Sequence, residues 1–138
     1  MAGPEPARLV ERDDVAVMFK RVADEQTAIS RGWAEVEEAV ESLRGRKFYG
    51  VFDGERDEYR VCVQLREEDE PAELGLETGT LPGGRYAQVR LQGEPPAVYE
   101  QIAPTFERLA QRSDRDPSRP DIEFYRRRDV IDLLLPVR

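Results

Sequence analysis

Asp121-Ile122-Glu123-Phe124-Tyr125 and, after a basic turn, Val130-Ile131-Asp132-Leu133-Leu134-Leu135-Pro136-Val137 close the chain. The first run alternates apolar and polar residues. As a strand it sends Glu123 and Tyr125 to one face and Ile122 and Phe124 to the other. The second run reads as another strand. A carboxylate beside aromatics on a strand face is either solvent-facing or the floor of a pocket, and that choice bears on function.

Working outward, Pro95-Pro96 opens a helical pattern carrying Val98, Ile102, Phe106 and Leu109. Tyr99 and Phe106 read as packing residues of that helix. Pro104 falls inside it, where a proline removes a hydrogen bond and clashes with the preceding turn, so a kinked helix is expected. Before it, Arg85 to Gln92 reads as a strand, Pro82-Gly83-Gly84 as a turn, and Leu74 to Leu81 as an extended segment. Glu67 to Ala72 is an acidic link. The first half has the same order. Arg8 to Ala23 reads as strand, turned near Asp13-Asp14, after a flexible start placed at residues 1–12. A helical stripe of Ile29, Trp33, Val36, Val40 and Leu43 follows, with Gly45 positioned to stop it. Lys47 to Phe52 and Glu58 to Arg66 form a hairpin around Asp53 to Asp57. Strand, helix, strand, strand thus occurs twice. The expectation is one α+β domain over residues 1–138, with halves of about 13–70 and 71–138.

Composition narrows the chemistry. The chain has 138 residues, 39% hydrophobic and 36% charged, enough for one domain with a core. A formal charge of −8 argues against nucleic-acid binding, because phosphate contacts need clustered Lys and Arg, and Arg126-Arg127-Arg128 reads as a solvated turn. Histidine is absent, which removes histidine acid–base catalysis, the Ser-His-Asp arrangement and most zinc sites. Cys62 is the single cysteine, read as a buried, inert thiol. No metal and no cofactor are expected. Neither Gly83-Gly84 nor the aspartates Asp13, Asp14, Asp53 and Asp57 match a phosphate-loop or calcium-loop pattern. Without a signal-like N-terminus or a membrane-length apolar run, the expectation is a cytoplasmic protein with no membrane partner.

Several segments together resemble the GyrI-like small-molecule-binding family. Leu81-Pro82-Gly83-Gly84-Arg85-Tyr86-Ala87 is similar to its PxGxYA turn and strand. Phe48-Tyr49-Gly50 is similar to its aromatic-glycine pair. Asp121 to Tyr125 with Leu133 to Val137 is similar to its late glutamate strand and closing "PV" strand. The resemblance covers about Val15 to Val137. It implies duplicated strand-helix-strand-strand units with pseudo-two-fold symmetry, an antiparallel sheet with two helices on one face, and a ligand cleft between the halves. It also implies an acidic residue at Glu123 in an aromatic-walled site, with Tyr86, Tyr49, Tyr125 and Trp33 as ligand-binding candidates. Too few residues precede Val15 for a helix-turn-helix, so direct DNA binding is not expected.

Each candidate has a plainer role. Tyr86 alternates with Ala87, Val89 and Leu91, so it faces away from them with Gln88 and Arg90. Tyr49 is compatible with either face, and Trp33 fits the helix stripe well enough to be core. The leading expectation is binding of a hydrophobic, aromatic or cationic small molecule, with Glu123 setting charge preference and aromatic faces adding cation–π attraction. One alternative the family implies is a hydrolase acting on cyclopropane-containing small molecules, with Glu123 and Tyr86 as catalytic residues. Another is a gyrase-inhibitor-like protein interaction. A weak homodimer is the oligomer that edge strands would support.

Overall fold

The computed structural model describes residues 7–40 and 45–138, which form two compact units. One comprises Asp14–Pro82. The other joins residues 7–13 to 83–138. The architecture is α+β, with antiparallel strand pairing throughout both units.

In the Asp14–Pro82 unit, β2 (Val15–Ala23), β3 (Phe48–Asp53), β4 (Glu58–Gln64) and β5 (Glu77–Leu81) pair in the order β3-β4-β2-β5. α1 (Gln26–Ala39) lies on one face. Met18, Val36, Val40, Tyr59, Val61 and Val63 form the buried core there, with Ile29, Trp33 and Phe48 packed against them. This is the expected helix stripe, except that Leu43 lies outside the described residues. α1 gives way to extended backbone at Val40, and Gly45 takes a left-handed φ of 72°. Close approach fixes Gly32, where a Cβ would come within 2.8 Å of Val22 Cγ1. The acidic link ends in a single turn of helix, α2 (Pro71–Leu74). Ahead of α2, Arg46 donates twice to the Asp69 carboxylate at 2.7 Å, and the Arg66 N–H adds a third bond at 2.7 Å.

In the second unit, β1 (Arg8–Arg12), β6 (Gly84–Gln92), β7 (Ile122–Arg127) and β8 (Val130–Pro136) pair in the order β1-β6-β8-β7. α3 (Ala97–Glu100) and α4 (Ile102–Arg112) cover one face. The core beneath them is Ala87, Val89, Leu91, Val98, Leu109, Ile131, Leu133, Leu135 and Val137.

Three local expectations change. Residues 8–12 form edge strand β1, in keeping with the strand reading from Arg8 and against a flexible start that runs to residue 12, because their backbone pairs with β6. The division near residue 70 moves to Pro82, because β5 pairs with β2 and carries residues 77–81 into the first unit. The second helix is split at Gln101 rather than kinked. Pro104 then occupies the first turn of α4, where a missing N–H leaves no intrahelical bond unmade.

Candidate ligand-binding site

β7 is the strand on which the site turns. Glu123 pairs with Leu133 and Tyr125 with Ile131, both core residues under α3 and α4, so Glu123 and Tyr125 belong to the helix-covered face. Glu123 is only 9% exposed. A carboxylate withdrawn from water must be compensated, and here the Tyr125 hydroxyl donates to Glu123 Oε1 at 2.5 Å. Tyr125 is itself held by Tyr99, whose ring meets it edge-on at 6.3 Å and 72° and whose hydroxyl donates to the Arg128 carbonyl at 3.1 Å. Tyr99 keeps 39% of its surface exposed. Carboxylate, phenol and second aromatic therefore run in contact from the buried strand toward solvent. Sequence reasoning assigned Tyr99 to helix packing; its place one residue after Val98 on the apolar stripe was the available signal for a ring at the stripe's margin.

Tyr86 lies elsewhere. It pairs with Pro136 and with Val10, and shares its face with Gln88 and Leu134, opposite Ala87, Val89 and the helices. The unit thus places Tyr86 and Glu123 on opposite sides of one sheet. Tyr86 is fully buried, with the Arg119 guanidinium 4.8 Å above its ring. Arg119 donates to the carbonyls of Arg85 at 3.0 Å and Val137 at 2.8 Å and to the Asp116 carboxylate at 3.2 Å. Burial works against the charge on Arg119, but its contacts with Asp116 and Tyr86 outweigh this and raise its pKa further. Gly84 is required here twice over. Its φ is 126°, and a Cβ would fall 2.7 Å from Arg119 Nη1.

The same face continues through Phe124, which pairs with Asp132. Asp132 is fully buried and accepts from Arg90 Nε at 2.8 Å, from Arg90 Nη2 at 3.3 Å and from Arg126 Nε. Burial pushes its carboxyl up, yet the two guanidiniums win and its pKa is lowered. A bulge between Tyr125 and Arg127 leaves Arg126 as the extra residue of β7, free to reach both Asp132 and the Phe124 ring.

In the Asp14–Pro82 unit, Trp33 stacks edge-on against Phe48 at 6.0 Å as part of the α1 core. Tyr49 pairs with Cys62 on the face away from α1 and is 2% exposed. Trp33 and Tyr49 are therefore separated by their sheet. Cys62 is fully buried and its thiol is pushed up to about 12 by that burial, which keeps it protonated and inert. Among the described residues, no three His, Cys, Asp or Glu side chains are grouped to hold a metal ion, and no helix is long and apolar enough to cross a membrane.

Comparison with known proteins agrees with the fold. An integron cassette protein from the Vibrio cholerae mobile metagenome is 16% identical with a TM-score of 0.78, over 98% of this chain and 97% of that one. SAV2435, solved bound to tetraphenylphosphonium, is 14% identical with a TM-score of 0.67, over 96% and 93%. A hydrolase from Listeria innocua is 12% identical with a TM-score of 0.55, over 99% and 94%. No curated protein sequence matches. The model of the GyrI-like small molecule binding domain matches residues 15–138, and the chain belongs to that family.

Proposed function

We propose that this chain binds hydrophobic, aromatic or cationic small molecules, with Glu123 selecting for positive charge. The observation that carries the reading is the withdrawn Glu123 carboxylate held at 2.5 Å by Tyr125, with Tyr99 leading outward to solvent. A ligand cation there would meet one acidic group and two aromatic rings, the combination that favours lipophilic cations. A structural neighbour in complex with tetraphenylphosphonium supports the same ligand class. The reading also treats the two units as copies of one plan. β2-α1-β3-β4 and β6-α3-α4-β7-β8 follow the same sequence. The spatial orders β3-β4-β2-β5 and β7-β8-β6-β1 correspond strand for strand. Of the aromatics outside this patch, Trp33 and Tyr49 lie on opposite faces of their unit, so a ligand on one face touches only one of them.

The test is calorimetric titration with tetraphenylphosphonium and with neutral triphenylphosphine oxide. Glu123→Gln should weaken the cation about tenfold or more while changing the neutral compound less than twofold. Equal loss for both would refute charge selection. W33F and Y49F in the same titration assign the remaining contacts.

A second reading is hydrolysis of a strained small molecule, favoured by the Glu123–Tyr125 pair. A carboxylate bonded to a phenol can accept a proton from attacking water while the phenol supplies one to the leaving atom. Likeness to a hydrolase supports asking the question. Turnover of a cyclopropane-containing substrate that Glu123→Gln abolishes would establish it; binding without turnover would remove it.

A further inference from the structure

We infer that the sheet face of the second unit turned away from α3 and α4 carries a separate site for small organic anions, centred on the guanidiniums of Arg12 and Arg126 over Phe124. Arg12 ends β1, in register with Gly84 two residues before Tyr86, and its guanidinium lies 5.4 Å from the Phe124 ring centroid. Arg126, freed by the β7 bulge, lies 5.0 Å from the same ring. A guanidinium held near an aromatic ring by cation–π attraction keeps the N–H donors along its edge for other partners.

Those edges are unequally used. Arg126 gives Nε to Asp132, leaving its two terminal nitrogens, and its side chain is 45% exposed. Arg12 is half-buried, and among the described residues no carboxylate lies within ion-pair distance of it. Arg90 completes the group through Asp132. Arg90 and Arg126 share the Asp132 carboxylate, and Arg12 adds a further guanidinium at the Phe124 ring, on a chain with a formal charge of −8. The ring faces that would attract a lipophilic cation are already taken by the chain's own cations, on Phe124 and, through Arg119, on Tyr86. A cationic ligand meets repulsion here. The complementary ligand is a carboxylate or sulfonate attached to an apolar or aromatic body, its oxygens accepting from Arg12 and Arg126.

The experiment uses the full chain at low ionic strength, titrated with 1-naphthoate, with neutral 1-naphthamide and with tetraphenylphosphonium. Naphthoate should bind at least tenfold tighter than naphthamide and should weaken as salt is raised. Arg12→Gln, which removes no ion pair, should cost naphthoate about tenfold and leave tetraphenylphosphonium affinity within twofold. Circular dichroism confirms that the variant is folded. Equal binding of naphthoate and naphthamide to the wild-type chain overturns the proposal whatever the variant does, as does an unchanged naphthoate affinity in folded Arg12→Gln. Loss of cation binding with retained naphthoate binding would count against Glu123 alone, so the two sites stand or fall separately.

Discussion

Replacing Asp132 by Asn tests what holds the middle of β8. The carboxylate is fully buried and accepts bonds from Arg90 at 2.8 and 3.3 Å and from Arg126. Asn keeps the volume but removes the charge, and its NH2 group must face a guanidinium that also donates. Removing one member of a buried ion pair costs about 3–5 kcal/mol when the other is trapped. The arginines are not trapped: their side chains keep 27% and 45% exposure, so water takes over part of their solvation. The loss should then approach one hydrogen bond to a charged group, about 2 kcal/mol. In thermal terms that is roughly 8 °C for a domain of this size. Urea denaturation at neutral pH followed by circular dichroism measures it, with Arg126→Gln alone and with the double variant. Arg126→Gln should cost less, because Arg90 still neutralises the carboxylate, and the two losses should not add. An Asp132→Asn chain within about 0.5 kcal/mol of wild type, the range of ordinary surface substitutions, would refute the account.

Two further outcomes follow from single residues. Hydrogen bonds from Arg46 hold the Asp69 carboxyl below the usual range; a lowered carboxyl stabilises above its unfolded pKa of about 3.9 and loses that contribution as pH falls. The gap in urea stability between wild type and Asp69→Asn should therefore be full at pH 6 and shrink as the pH drops below 4. Gly84→Ala should cost more than Gly75→Ala when both are measured by thermal melting. Both glycines have positive φ, but at Gly75 nothing lies within 4 Å of a new Cβ, whereas at Gly84 it strikes Arg119, so about 1 kcal/mol is expected at Gly75 and about 2 or more at Gly84.

Local pattern carried the sequence reading as far as local physics reaches. Alternation in residues 121–125 put Glu123 beside Tyr125, and alternation in β6 turned Tyr86 away from Ala87 and Val89, because side-chain direction in a strand depends only on position. What alternation cannot tell is which face a helix covers. The family resemblance groups Tyr86 and Glu123 in one site, yet the β6-β8-β7 register sends them to opposite sides. The pairing of β1 with β6 and the seat of Arg12 on Phe124 join residues from opposite ends of the chain, and no short window contains them. Pro104 marked a break correctly, but its depth in the helix depended on where α4 began.

The match to the family starts at Val15, three residues beyond the last residue of β1. A chain begun at that residue would keep every matched position and still be a different molecule. It would uncover the β6 backbone groups that residues 8–12 now satisfy, and an open edge of that kind recruits strands from neighbouring copies. It would also lack one of the two guanidiniums on Phe124. Trimming to the matched span is thus expected to promote self-association, and to alter the ligand profile without touching a single residue by which the family is recognised.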